Sequence, residues 1–194
     1  MIRIEEVINS VFTSKTYILY KRGEIKTWLV DIGDVEPIVS FLEEKELTVE
    51  GVFLSHAHFD HIYGLTELVK HYPQCKVYVT EYAKEGLASD KLNMSRYHET
   101  LIKHEGDNVV VVHEGESMTL FDDEPLMEFY EPPGHNPGCL MMVLGDMIFT
   151  GDAYIPGVGA NTQLPHANKE LAQQSMERIL KLAEGKIIYS GHKV

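Results

Sequence analysis

The chain reads as an α+β protein, a four-layer αββα sandwich of two facing mixed β-sheets with helices outside, formed as one domain over residues 1–194. Three observations predict it. Strand series alternate with single helices twice along the chain. An apolar strand runs straight into a histidine cluster at 56–61. A Gly145-Asp146 pair separates two apolar six-residue segments, as a hairpin turn does.

The elements follow in order. Residues 2–12, 16–21 and 26–32 are rich in Val, Ile, Tyr, Thr and Trp and are broken by Ser14-Lys15 and Arg22-Gly23, which predicts antiparallel strands. Asp34 reads as a helix N-cap for a helix over 35–46, with Pro37 tolerated in the first turn. The run 49–54 returns as a buried strand, and Leu65, Leu68, Val69 and Tyr72 share one face of a short helix stopped by Pro73. A strand at 76–80 precedes a helical or irregular stretch over 81–106, and strand character resumes at 109–112 and 118–121. Strands are expected at 126–130, 139–144 and 147–151. Asn168 should cap a helix that Gly185 ends, and residues 186–190 form the last strand.

Composition narrows the function. A net charge of −13, with no cluster of Lys and Arg, argues against a nucleic-acid partner and leaves a small-molecule substrate. The acidity says little more than that the chain stays in solution. The N-terminus carries charge from Arg3 onward, so neither a secretory signal nor a membrane span is read. Two cysteines, Cys75 and Cys139, are too few for a disulfide scaffold. A cytoplasmic protein that makes no membrane contact is the expectation; oligomeric state is not addressed by these features.

The most informative stretch is His56-Ala57-His58-Phe59-Asp60-His61 at the tip of the 49–54 strand. Three imidazoles and a carboxylate this close together cost stability unless a cation holds them, so the stretch reads as half of a two-metal site. The hairpin register supplies the other half. If Leu144 faces Met147, then Cys139 faces Asp152, and Asp152 emerges beside the turn Pro133-Gly134-His135-Asn136-Pro137-Gly138. His192 follows the last strand through Gly191 and can reach the same edge. The ligand inventory is then His56, His58 and His135 for one metal and Asp60, His61 and His192 for the other, with Asp152 bridging. Two carboxylates offset half of the charge on two divalent ions, which suits an open, catalytic centre rather than a structural one. The expected cofactors are two divalent metal ions, zinc first, with iron or manganese compatible with the same donors. Asp60 has a second reading, as a cap on the helix that follows it.

These residues resemble the metallo-β-lactamase superfamily, marked by His-x-His-x-Asp-His followed by separate His, Asp and His ligands in that order. The resemblance covers nearly the whole chain. Leu29-Val30-Asp31-Ile32-Gly33-Asp34 is similar to the family's early Asp-x-Gly loop, and Pro133–Gly138 is similar to its Pro-Gly-His-Thr-Pro-Gly turn with Asn136 in place of Thr. Gly151-Asp152 and Ser190-Gly191-His192 also match, and 159–182 resembles the loop and helix that glyoxalase II-like members place before their last ligand. The resemblance implies the αββα fold and a hydrolase that uses a metal-bridging hydroxide as nucleophile. Asp152 stands where lactamases proper commonly carry Cys or lack a bridging residue, which points away from antibiotic hydrolysis. Glyoxalase II carries a helical C-terminal extension that binds glutathione, so the resemblance is to the hydrolase core without it. RNA-processing relatives are larger and basic. Persulfide dioxygenases share most of these ligands but work with one iron, which makes a mononuclear iron oxidoreductase the alternative.

The function these signals support is cleavage of an ester, thioester or lactone, with Asp60 and Asp152 orienting the nucleophile. Four residues stay open. Tyr154 is one residue short of the Tyr that lactone hydrolases place after the bridging Asp. Cys139 reads as a buried inert thiol or a neighbour of the site. Tyr97 and His98 lie where family members carry active-site loops, but an ordinary surface helix explains them equally well. His71, His104, His113 and His166 have no ligand-like spacing.

Overall fold

Alternation along the opening strands sets the layers. In the computed structural model, which describes residues 1–122 and 125–194, β1 (Ile2–Ile8), β2 (Lys15–Lys21) and β3 (Lys26–Val30) pair antiparallel. Tyr17, Leu19, Trp28 and Val30 point to one face of this sheet, and Ile18 and Leu29 point to the other. β4 (Thr48–Phe53), β5 (Lys76–Val79) and β6 (Val109–Val111) extend it in parallel, giving a mixed sheet in the order β1-β2-β3-β4-β5-β6. The second sheet has the order β11-β10-β9-β8-β7, from β7 (Ser117–Met118), β8 (Met127–Tyr130), β9 (Met141–Leu144), β10 (Met147–Gly151) and β11 (Ile187–Ser190). Only its β10–β11 pair is parallel.

Three apolar clusters separate the four layers. Between the sheets lie Tyr17, Leu19, Trp28 and Phe53 from one side and Phe129, Met142, Leu144 and Phe149 from the other. Each such side chain contributes about 1.5–3 kcal/mol of burial free energy. Outside the first sheet, α1 (Val35–Glu44), α2 (Phe59–Ile62), α3 (Leu65–His71) and α4 (Glu81–Ala88) cover Ile18, Leu29, Val52 and Val77 with Ile38, Leu42, Ile62, Leu68 and Leu87. Outside the second sheet, α5 (Lys169–Leu182) lays Ile179 and neighbouring Ala183 on Met141, Val143 and Ile148. Among the described residues no helix is long and apolar enough to cross a membrane.

Several expectations need correction. The hairpin has the predicted register at Leu144–Met147 and Met142–Phe149, but pairing stops there, so Cys139 does not face Asp152 across a ladder. The reason is local: the Leu140 N–H donates to Ser55 O of the other sheet at 2.7 Å, and Gly151 adopts φ +49° at a break in the β10–β11 register. The strand expected at 118–121 is two residues, Ser117–Met118, because Leu120 and Phe121 turn inward to the inter-sheet core. Asp34 sits at the N-cap position but does not cap; its carboxylate accepts from Ser10 N–H, Ser10 Oγ and Tyr63 Oη. Asn168 does cap, accepting from the Glu170 and Leu171 N–H groups, and Gly185 follows the helix at φ +72°.

Candidate metal centre

The parallel strands β3 and β4, and likewise β10 and β11, bring their C-terminal ends to one edge of the sandwich. From those ends come Asp31, the 55–61 segment, Asp152 and His192. The turn before β9 adds His135. This turn is fixed by α5: Ser175 Oγ donates to Pro133 O at 2.6 Å, and the Asn168 N–H donates to Gly134 O at 2.7 Å. Gly134, at φ +138°, packs so close to Ala172 that a Cβ would strike its backbone, so only glycine fits there.

All seven residues singled out by the sequence meet at this edge. Ring nitrogens of His56, His58 and His135 converge: His135 Nε2 lies 3.2 Å from His56 Nε2 and 3.1 Å from His58 Nδ1. Beside them, His192 Nε2 lies 3.2 Å from Asp60 Oδ2 and 3.2 Å from His61 Nε2. Asp152 stands between the groups, its Oδ2 3.2 Å from His192 Nε2 and 3.6 Å from His135 Nε2. The donor atoms form overlapping triples, each within 4.8 Å: His56/His58/His135, His56/His61/Asp152 and Asp60/His61/His192. Asp60 does not cap α2, whose N-cap position is His58. Gly191 is required by this crowding, since a Cβ there would run into Asp152 Oδ1.

Backbone and carboxylate partners aim the rings. The carbonyl of Asn161 lies 2.9 Å from His135 Nδ1, that of Phe12 lies 2.9 Å from His192 Nδ1, and Asp31 Oδ2 lies 2.8 Å from His61 Nδ1. Each of these acceptors takes the Nδ1–H, which orients the ring and turns Nε2 into the cluster. Asp31 is itself held by the Ser55 N–H and Oγ. Asn136 accepts from the Gly138 N–H and places its amide nitrogen 3.0 Å from His58 Nε2.

The electrostatics divide the cluster. Burial, reinforced by the neighbouring rings, holds His56 well below the ordinary histidine value and pushes His58 down to about 3; His135 is lowered by burial as well. Burial acts the same way on His61 and His192, but there the carboxylates outweigh it. Asp60, Asp152 and Asp31 hold His61 well above its usual value, and Asp152 and Asp60 raise His192 to about 10. Burial would raise Asp60 and Asp152, yet His61 and His192 keep both well below the usual carboxylate range. Asp152 Oδ1 is buried without a hydrogen-bond partner; His61 Nε2, 3.5 Å away, lies within ion-pair reach but not in hydrogen-bond geometry. Three converging imidazole nitrogens and an unsatisfied buried carboxylate oxygen fit cations and leave little alternative use for these groups.

Comparison with known proteins agrees with this geometry. The model of the metallo-beta-lactamase superfamily matches residues 14–192. The chain belongs to the metallo-beta-lactamase superfamily. Within it, the chain is 32% identical over 171 residues to the probable metallo-hydrolase YqgX of Bacillus subtilis, covering 82% of this chain and 76% of that protein. It is 28% identical over 165 residues to the hydroxyacylglutathione hydrolase of Salmonella enteritidis, covering 85% of this chain and 56% of that enzyme, so it spans little more than half the enzyme's length. The BLEG-1 B3 metallo-beta-lactamase superposes with a TM-score of 0.88 at 25% identity, over 99% of this chain and 92% of that one. The superfamily membership and the His/Asp cluster mark a hydrolase that depends on divalent metal.

The remaining candidates fall on both sides of the site boundary. His98 lies in the cleft, stacked on Phe59, whereas Tyr97 is exposed. Cys139 is buried, and burial pushes its thiol up to about 12, the state of an inert thiol. Tyr154 packs with the apolar cluster under α5 and does not line the cleft. Sequence reasoning gave no role to the Asn161 and Phe12 carbonyls, because a backbone acceptor in a loop has no residue-type signature. Asp31 did carry one: an Asp directly after the apolar run Trp28-Leu29-Val30 must find buried partners.

Proposed function

We propose that the protein hydrolyses an ester, thioester or lactone of a small-molecule substrate with two divalent cations, zinc first among them. His56, His58 and His135 would hold one cation and Asp60, His61 and His192 the other, with Asp152 between them. The supporting observation is the pair of donor triples joined through Asp152, His56 and His61. A site for one cation would leave either the three imidazoles or the Asp60/His192 pair without purpose. When bound, two such ions acidify a water toward a pKa of about 7 and polarise the substrate carbonyl.

The protein's own groups do the rest. Asp60 and Asp152 accept hydrogen bonds from the attacking water and keep its lone pair on the acyl carbon. As the water oxygen bonds to that carbon, the C–O or C–S bond breaks and the leaving group departs with the proton. Asp31, Asn161 O and Phe12 O hold three of the imidazoles in register throughout. The names of the hydroxyacylglutathione hydrolase and metallo-hydrolase relatives support ester or thioester chemistry.

The test combines metal counting with a panel of esters, thioesters and lactones. Two equivalents of metal per chain and turnover that Asp152→Ala abolishes are expected. One iron per chain with oxygen uptake and no hydrolysis would overturn the reading.

A further inference from the structure

We infer that the cleft above the metal centre is built for an uncharged, apolar substrate arm that lies against an aromatic wall of Phe59, His98 and Phe12. This deepens the hydrolase reading and rests on it. The cleft has a volume of about 350 Å³. Its floor is the polar cluster already described; its walls are Phe12, Phe59, Met94 and Leu164, with His98 among them.

Three features indicate a built subsite. The His98 ring stacks on Phe59 with centroids 3.7 Å apart and planes 7° from parallel, and Phe12 meets His98 edge-on at 6.0 Å. No hydrogen bond is made by the His98 ring nitrogens among the described residues, so its aromatic contacts are what fix this ring in the cleft lining. Phe12 is 65% exposed at the mouth on consecutive left-handed residues, Phe12 at φ +52° and Thr13 at φ +56°. Two non-glycine residues in this region are strained, and the strain holds an aromatic side chain out over the site while its carbonyl aims His192. Met94, also left-handed at φ +66°, sets the start of the turn that delivers His98.

Charge sets the substrate class. No Lys or Arg lines this cleft among the described residues. A carboxylate carried on the substrate arm would lose water and meet no cation on the walls, whereas an alkyl or aryl arm would gain burial. The selectivity therefore runs toward neutral acyl groups and against acyl groups ending in a carboxylate.

The experiment uses the metal-loaded protein and N-acetylcysteamine thioesters of three acids: hexanoic acid, adipic acid as the equal-length chain ending in a carboxylate, and phenylacetic acid. Expected is a kcat/KM about a hundredfold higher for the neutral thioesters than for the adipoyl one. Met94→Lys should narrow that ratio about tenfold by raising adipoyl turnover, and His98→Ala should cost about tenfold on phenylacetyl and less on hexanoyl. In parallel, benzylacetone, a neutral non-hydrolysable ketone, should shift the His98 ring-proton resonances of the wild type and not those of Phe12→Ala. Equal turnover of hexanoyl and adipoyl thioesters with His98 unmoved by the ketone would overturn the subsite and leave the hydrolase standing. Shifts at His98 with no thioester, ester or lactone hydrolysed would overturn the hydrolase and leave the subsite standing.

Discussion

The two donor triples sit side by side, the imidazole one fully buried and the mixed one partly open, and they differ in charge. In the imidazole triple, His56, His58 and His135 have mostly each other and neutral partners, and burial lowers the pKa of all three. In the mixed triple, His61 and His192 face Asp60 and Asp152, whose carboxylates favour the protonated form of each ring. The difference teaches that burial lowers every histidine here and that the position of the carboxylates decides where it is outweighed. It also has a consequence for metal binding: the imidazole triple is ready to accept a cation, whereas the mixed triple has more protons to lose.

Asp152→Ala should produce the largest break, because it removes the carboxylate that stands between the two triples, near His135 of one and His192 of the other. About a thousandfold loss of kcat/KM and loss of one metal per chain are expected, checked by steady-state kinetics and elemental analysis. Asp31→Asn separates the triples more gently. It weakens the acceptor for His61 Nδ1 directly and disturbs His56 only through Ser55, so metal affinity should fall about 10- to 100-fold at the mixed triple and less at the imidazole triple, read by chelator competition.

The pH dependence of the metal-free fold sharpens the contrast. His192, raised to about 10, contributes stability that is complete below the unfolded histidine value of 6.5 and is lost as pH rises through about 10. His58, lowered to about 3, behaves in reverse: its contribution is complete above 6.5 and is lost as pH falls toward about 3. Asp60, held below 3.8, adds stability above that value that disappears as pH falls through its folded pKa. Denaturant titrations over pH should therefore show His192→Ala flattening the alkaline limb and His58→Ala flattening part of the acid limb. Ser55→Ala is the smallest change expected. Ser55 Oγ donates to Asp31 and lies 3.1 Å from His56 Nδ1, touching both triples, so a loss of about 1–2 kcal/mol in stability with similar small effects on both metals should result.

Much of this was legible because it rests on short-range pattern. Alternation at Tyr17-Ile18-Leu19 and at Trp28-Leu29-Val30 fixed which side chains enter the inter-sheet core, and Gly145-Asp146 fixed a hairpin register that the structure keeps from Leu144–Met147 to Met142–Phe149. The seven residues proposed as ligands were found because His, Asp and His at strand ends have few other uses. What escaped is set by long-range contacts. Leu140 leaves the hairpin to bond Ser55 on the other sheet, Asp34 abandons its helix for Ser10 and Tyr63, and Asn161 serves through its carbonyl. His98 was seen but could not be placed, since only the fold brings it onto Phe59.

The most direct measurement is a calorimetric zinc titration of demetallated protein at neutral pH, repeated in buffers of different ionisation enthalpy to count released protons. Two equivalents per chain are predicted, with more protons released by the ion that enters the mixed triple than by the one that enters the imidazole triple. A single binding event, or two events releasing equal numbers of protons, would contradict the account.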